Sequence, residues 1–244
     1  MKLTGNTILI TGGTSGLGLG FARELSTLGN KVFICGRRED KLKEISLKYP
    51  EITTRKCDIS KGSEREELVN WTLHQFPAIN IIINNAGIQT NQPINPAMDL
   101  SKVQQEVDTN FLAPIHLCAL LSDHLKGKEN AAIINISSGL AFVPLAFLPV
   151  YCATKAGVHS FTLSLRYLLK DSGVRVFEIA PPAVDTELGQ DRRTDGVPSH
   201  GGISVDEFIK DTMKALRNDE FEAAIGSAIN LREKKELMFP ILNK

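Results

Sequence analysis

The feature that most constrains this chain is a glycine-rich turn, Gly12-Gly13-Thr14-Ser15-Gly16-Leu17-Gly18, set between an apolar run and an amphipathic one. The preceding Thr7-Ile8-Leu9-Ile10-Thr11 is short, apolar and β-branched, the pattern of a strand buried on both faces. After the turn, Leu17, Phe21, Leu25 and Leu28 recur at three- and four-residue steps until Gly29-Asn30 stops the helix, and residues 31–35 read as a second strand. Glycine suits such a turn because the chain bends sharply there. A backbone without Cβ atoms also lets an anion approach the free N–H groups and positive dipole end of the helix. The spacing G-x-x-x-G-x-G differs from the G-x-G-x-x-G dinucleotide fingerprint, so the strand-to-helix setting carries the inference to a pyrophosphate-binding turn. On that reading Gly12, Thr14, Ser15, Gly16, Leu17 and Gly18 contact a nucleotide cofactor.

The alternation continues along the chain. Residues 52–57 read as a strand, 61–75 as a helix and 78–83 as a strand ending in Asn84-Asn85-Ala86-Gly87. Residues 99–125 form a long helix, 131–136 a strand, 151–170 a helix, 174–179 a strand, 204–217 a helix and 221–225 a short strand. Repeated crossovers predict an α/β fold, a Rossmann-type doubly wound parallel sheet of about seven strands with helices on both faces. No repeat, low-complexity tract or linker divides it, so residues 1–244 are expected to be one domain. The ligand crevice of such a sheet lies at the carboxyl ends of its strands, where Thr11, Gly36, Asp58, Asn84, Ser138 and Pro181 fall.

The end of the second strand bears on the cofactor. A carboxylate there holds the ribose hydroxyls of NAD, whereas arginine accommodates the additional phosphate of NADP. The chain reads Gly36-Arg37-Arg38, with no acid in the turn and two guanidinium forks, so NADP is favoured over NAD. The alternative is that Arg37 and Arg38 are solvated charge at the start of the next helix. Further on, Tyr151 and Lys155 stand four residues apart and share a helix face. A tyrosine hydroxyl titrates near 10, and a fixed ammonium nearby favours its phenolate, which makes it fit for acid–base work. Such pairs are also ordinary on exposed helices, so this one gains meaning only from the residues around it.

Thr11-Gly12-x-x-x-Gly16-x-Gly18, Asp58, Asn84-Asn85-Ala86-Gly87, Asn110, Ser138 and Tyr151-x-x-x-Lys155 stand in that order along almost the whole chain. In this the chain resembles the short-chain dehydrogenase/reductase family. The resemblance implies an NAD(P)-dependent oxidoreductase acting on a CH–OH group, with a small-molecule carbonyl or alcohol substrate. It implies that Tyr151 gives or takes the proton and that Lys155 supports it and holds the nicotinamide ribose. Ser138 would bind the substrate oxygen, the family spacing of thirteen residues to the tyrosine selecting it over Ser137. Asn110 would hold a water in the proton relay. A turn serine and a polar residue that buckles a helix are the plainer readings of Ser138 and Asn110. Asp58, Ile59, Asn85, Ala86, Gly87, Pro181, Val184 and Thr186, with Tyr151 and Lys155 themselves, are the further cofactor contacts the resemblance implies. The chain departs from the family at Pro181-Pro182, where Pro-Gly is common, placing a rigid ring beside the expected nicotinamide. The glycine turn together with Gly-Arg-Arg is similar to the DltE-like oxidoreductases associated with D-alanylation of teichoic acids in Gram-positive bacteria. The helices at 99–125 and 151–170 are the surfaces through which this family pairs, which implies a homodimer or homotetramer.

Hydride transfer to a carbonyl builds charge on oxygen, which a tyrosine proton neutralises and a serine hydroxyl stabilises, so no metal is required. Cys35, Cys57, Cys118 and Cys152 have no C-x-x-C spacing and the five histidines are scattered, so no ligand cluster is expected. Buried or half-buried thiols are the better reading, with Cys152 the exception in lying beside Tyr151, where exposure near the site is the alternative. The 28 basic residues balance 28 acidic ones, which argues against a nucleic-acid partner. No apolar run reaches the roughly 18 residues of a membrane span, the first strand follows the amino terminus without a leader, and unpaired cysteines suit a reducing compartment. A cytoplasmic location is therefore expected. The apolar stretch 140–150, with Phe142, Leu145, Phe147 and Leu148, reads either as a wall for an apolar substrate or as core or dimer surface. Residues 188–217 are expected to form a substrate lid inserted before the last strand, polar and mobile over 188–202. The competing function is a catalytically silent nucleotide sensor or scaffold on the same fold.

Overall fold

The computed structural model describes residues 1–189 and 201–244. Seven strands form one parallel sheet: β1 (Thr7–Thr11), β2 (Lys31–Gly36), β3 (Ile52–Lys56), β4 (Ile81–Asn84), β5 (Ala132–Ile136), β6 (Arg175–Ala180) and β7 (Glu222–Ala224). Their order is β3-β2-β1-β4-β5-β6-β7, so the chain winds outward from β1, returns to β4 on the other side of β1, and winds outward again. The direction reverses between β1 and β4, the switch point at which crossover loops part and leave a crevice. Ile8 is in register with Val32 on one side and Ile81 on the other.

Side chains alternate along each strand, so β1 sends Ile8 and Ile10 to one core and Leu9 to the other. The first core is closed by α1 (Gly16–Thr27), α2 (Glu39–Lys48) and α7 (Val205–Arg217) through Phe21, Leu25, Ile45, Phe208 and Met213. Phe21 and Phe208 meet edge to face at 6.1 Å. The second core is closed by α3 (Gly62–Gln75), α5 (Ala113–Leu125) and α6 (Pro149–Leu168) through Leu68, Leu117, Leu121 and Leu165. Burying each such side chain contributes about 1.5–3 kcal/mol. At the amino ends of the strands an asparagine network meets the backbone's needs: Asn80 Oδ1 accepts from Thr7 N, Asn80 Nδ2 donates to Asn6 Oδ1, and Asn6 N donates to Asn30 Oδ1.

Three features depart from the sequence expectation by more than one or two residues. β4 begins at Ile81 rather than 78, because Ile79 N–H turns back to Phe76 O. The helix expected over 99–125 is instead α4 (Leu100–Val107), a π-helical turn at Asp108–Leu112, and α5. Pro114 has no N–H to give the carbonyl four residues earlier, and Ala113 N–H bonds Asp108 O five residues back, which widens the helix at Asn110. After β7 come two short helices that the periodicity did not reveal, α8 (Ala228–Lys234) and α9 (Phe239–Leu242). Among the described residues no helix is long and apolar enough to cross a membrane.

Candidate active site

The glycine turn packs on the backbone that follows β4. Gly12 has φ +68°, and a Cβ there would lie 2.7 Å from Ala86 Cα; at Gly18 one would lie 2.3 Å from Gly12 O. Thr11 Oγ1 accepts from Asn85 N and Ala86 N, both at 3.1 Å, and Asn85 Nδ2 donates to Thr11 O at 2.9 Å and Gly12 O at 3.2 Å. Those bonds fix Asn85, Ala86 and Gly87 against the turn. The N-cap of α1, Ser15, makes no side-chain cap bond and its first turn holds no acid, so the free N–H groups of the helix end are not capped by its own residues.

Arg38 lies across this turn. Its Nη2 donates to Ser15 Oγ at 2.8 Å and Thr14 Oγ1 at 3.2 Å, and its Nη1 pairs with Glu187 at 2.7 Å. Arg38 holds the Glu187 carboxyl below its usual range. Gly36 is needed just before it, since a Cβ would lie 2.7 Å from Thr14 Cγ2. Arg37 is exposed and makes no hydrogen bond or ion pair among the described residues. Asp58 Oδ1 accepts from Ser60 N and Oγ, closing a turn over the end of β3, while Ile59 is buried and its carbonyl accepts from Arg65.

On the other side of the crevice, Lys155 is only 4% exposed. Its Nζ donates to Ile136 O at 2.9 Å, stands 3.6 Å from where a Cβ on Gly87 would be, and lies 5.8 Å from the Tyr151 ring centroid. Burial pushes its pKa down to about 8 although Glu106 and Glu178 act in the opposite sense. Tyr151 is buried beside it. Asn110, at the π-helical turn, accepts from Ile88 N and donates to Ile88 O, both at 2.8 Å. Its Nδ2 also donates to Thr154 Oγ1 at 3.3 Å, and that hydroxyl donates to Tyr151 O at 2.7 Å. Asn110 thus ties the chain after β4 to α6. Ser137 is turned into the sheet, its hydroxyl donating to Ile179 O, whereas Ser138 Oγ accepts from Leu140 N at the strand end.

Leu148, Tyr151 and Cys152 form a small apolar cluster on which Leu140, Leu145 and Leu188 pack. Cys152 is buried rather than exposed; its thiol takes Leu145 N–H at 3.3 Å, and desolvation raises its pKa. Phe142 stands edge to face against His159 at 5.0 Å, and Phe147 is exposed. Of the segment expected as a lid, residues 190–200 lie outside the described residues, and α7 is a core helix packed on α1. Val184 forms a parallel bridge with Ile203: Ile203 N donates to Ala183 O and Asp185 N to Ile203 O. That pairing turns the N–H and C=O of Val184 itself away from Ile203, and neither is bonded among the described residues. Thr186 packs at 3.2 Å from where Gly16 would carry a Cβ, and Pro181 O accepts from Gly139 N, so the strand ends of β5 and β6 are joined at the site.

The sequence reading placed Thr11 at the crevice without its bonds to Asn85 and Ala86, and passed over Thr154 and Glu187. No local signal marks those two, because their contacts with Asn110 and Arg38 depend on the fold. The scatter of the histidines along the chain did not reveal that His159, Glu178 and Glu222 bring donor atoms within 4.8 Å of one another.

Residues 6–196 match the family model described as short chain dehydrogenase. The chain is 44% identical over 234 residues to the oxidoreductase DltE of Bacillus subtilis strain 168, covering 96% of this chain and 93% of that one. It is 32% identical over 194 residues to a tropinone reductase homolog of Datura stramonium, covering 77% and 71% of the two. A crystal structure of a short chain dehydrogenase from Burkholderia cenocepacia J2315 in complex with NADP matches at TM-score 0.84 and 25% identity over 100% of both chains. A short-chain dehydrogenase from Sphingobium yanoikuyae in complex with NADPH shares the fold at TM-score 0.82 and 23% identity, over 96% and 95% of the chains.

Proposed function

The chain belongs to the short chain dehydrogenase family, and from that premise we propose that it moves a hydride between NADP and the carbonyl or alcohol carbon of a small-molecule substrate. The observation that carries the proposal is the buried Lys155 ammonium, bonded to the end of β5, beside Gly87 and under Tyr151. A lysine held nearly dry without a paired carboxylate costs stability, and such costs cluster where chemistry needs them.

The crevice fits a nicotinamide dinucleotide. Gly12, Gly16 and Gly18 keep side chains out of the turn at the α1 N-terminus, where a pyrophosphate is received. Val184 offers its main-chain N–H and C=O to a planar amide, with Pro181 and Thr186 flanking, and Ile59, Asn85, Ala86 and Gly87 form the wall between. Asp58 caps that wall. Arg38, held by Ser15 and Thr14, supports NADP, because a phosphate there exchanges with Glu187 for the same guanidinium fork; Arg37 supplies a second, mobile charge. The neighbouring structure bound to NADP supports the same choice.

When bound, the cofactor supplies or accepts the hydride. Tyr151 holds the proton at its hydroxyl, and Lys155 favours the phenolate and stands within reach of a ribose hydroxyl. Ser138 donates its hydroxyl to the substrate oxygen, stabilising charge that grows there during reduction. Asn110 keeps the Ile88 loop and the catalytic helix in register and anchors the water of the proton relay. Leu140, Leu145 and Leu188 over Tyr151 support an apolar substrate. Exposed Leu163, Tyr167 and Leu168 on α6 support pairing into a homodimer or homotetramer, and four buried free thiols support a cytoplasmic location. The likeness to DltE supports a role alongside D-alanylation of teichoic acids.

Titration with NADPH and, separately, NADH, followed by nicotinamide fluorescence, tests the proposal. Tighter binding of NADPH is the expected result. Equal affinity would show that Arg38 stays with Glu187, and binding of neither would favour a nucleotide-free scaffold.

A further inference from the structure

One turn beyond Lys155 along α6, side chains from three elements converge. Glu178 of β6 is fully buried; its Oε2 accepts from His159 Nδ1 at 2.8 Å, while its Oε1 has no hydrogen-bond partner. Glu222 of β7 stands opposite Glu178 in the parallel register, and Arg232 of α8 bonds only its Oε1, leaving the second oxygen. Arg166, the other cation close by, directs Nε to Val176 O and Nη2 to Phe221 O, so its donors go to the backbone. A buried carboxyl oxygen left unmatched is costly: His159 serves Oε2 of Glu178, Arg232 bonds Glu222, and Oε1 of Glu178 has neither.

We propose that His159, Glu178 and Glu222 are the protein ligands of a divalent transition-metal site, of the kind that takes Zn2+. One imidazole and two carboxylates are the hard-to-borderline donor set that suits this ion, and three protein ligands leave a fourth position for water. Their donor atoms lie within 4.8 Å of one another. In a four-coordinate site two donors at about 2.1 Å from the ion lie about 3.4 Å apart, so binding draws the widest pair together by up to about 1.4 Å. The side chains of His159 and Glu222 are 24% and 19% exposed, which gives the ion an entry path to the buried oxygen of Glu178. Metal there displaces the proton shared by His159 and Glu178 and fastens α6, the helix of Tyr151 and Lys155, to the edge strands β6 and β7. The Phe142 ring against His159 extends that clamp to the apolar segment before Tyr151. The role is structural, since hydride transfer uses none of these groups.

Protein freed of metal with a chelator, then titrated with ZnCl2 by calorimetry with bound zinc counted by mass spectrometry, tests the site. Wild type is expected to take up one tight equivalent and to melt at a higher temperature with zinc than without. H159Q and E222Q, both partly exposed positions outside the catalytic set, are expected to lose that equivalent or weaken it by about 100-fold or more, with NADPH binding unchanged. H116Q, which removes a histidine paired with Glu66 on the surface, is expected to keep it. No tight equivalent in wild type, or the same affinity in H159Q or E222Q, overturns the proposal. Because zinc uptake is measured without turnover, that failure is distinct from failure of the assigned reaction.

Discussion

Lys155 titrates near 10.5 in an unfolded chain and near 8 in the fold, where burial opposes its charge. Replacing it with methionine keeps the length of the side chain and removes the charge. Between the two values the unfolded chain binds the proton more strongly than the folded one, so wild-type stability rises with pH across that window and is lowest below it. The gap of about 2.5, at 1.36 kcal/mol each, costs the folded protein about 3 kcal/mol at pH 7. At pH 10 the folded lysine is neutral and the unfolded one mostly charged, which leaves about 1 kcal/mol. Methionine leaves Ile136 O without its donor, a loss of about 1 kcal/mol at either pH. K155M is therefore expected to be about 2 kcal/mol more stable than wild type at pH 7 and equal to it at pH 10. Urea unfolding of both proteins at the two pH values measures this, comparing midpoints at constant slope. The same difference at both pH values, or a mutant less stable at pH 7, would refute the view that Lys155 is held dry at a cost. The more stable variant is also expected to have lost its activity.

Y151F is expected to lower kcat by about 100- to 10,000-fold while NADPH affinity stays within about twofold of wild type; unchanged turnover in a substrate-active preparation would remove Tyr151 from its role. R38A is expected to weaken NADPH binding by about 10- to 100-fold and leave NADH binding nearly unchanged, read by fluorescence titration; equal losses for both would assign Arg38 to holding the turn alone. G18A places a Cβ 2.3 Å from Gly12 O, so it is expected to abolish binding of either dinucleotide, with the fold intact by circular dichroism. All four thiols are buried and burial pushes Cys118 up to about 12, so a chromogenic disulfide should label none of them rapidly until denaturant is added; fast labelling of Cys152 would contradict its packing against Leu145.

The unit from Thr7 to Gly36 was legible because its determinants are local: an apolar β-branched strand, glycines where a Cβ cannot fit, and a helix with one apolar stripe. The Tyr151–Lys155 pair was legible for the same reason, since helical spacing alone puts both on one face. The interruption at Asp108–Leu112 was not, although Pro114 marks it, because a proline near the start of a helix and one inside it look alike until Asn110 is seen bonded to Ile88. Cys152 was open to two readings because it adjoins Tyr151, a residue proposed for the site, and only its contact with Leu145 shows which way it faces.

By itself, then, the sequence determined the alternation of strands and helices, the glycine turn between β1 and α1, and the placement of Tyr151 and Lys155 on one helix face, all set by interactions within a few residues of chain. Tertiary structure alone decided which distant groups meet: Arg38 with Glu187, Asn110 with Ile88 and Thr154, Lys155 with Ile136, and His159 with Glu178 and Glu222. The depressed pKa of Lys155 belongs to this second class. Spacing places an ammonium beside a phenol, but how dry it is depends on the strands, loops and helices closed around it, and no local pattern in the chain records that.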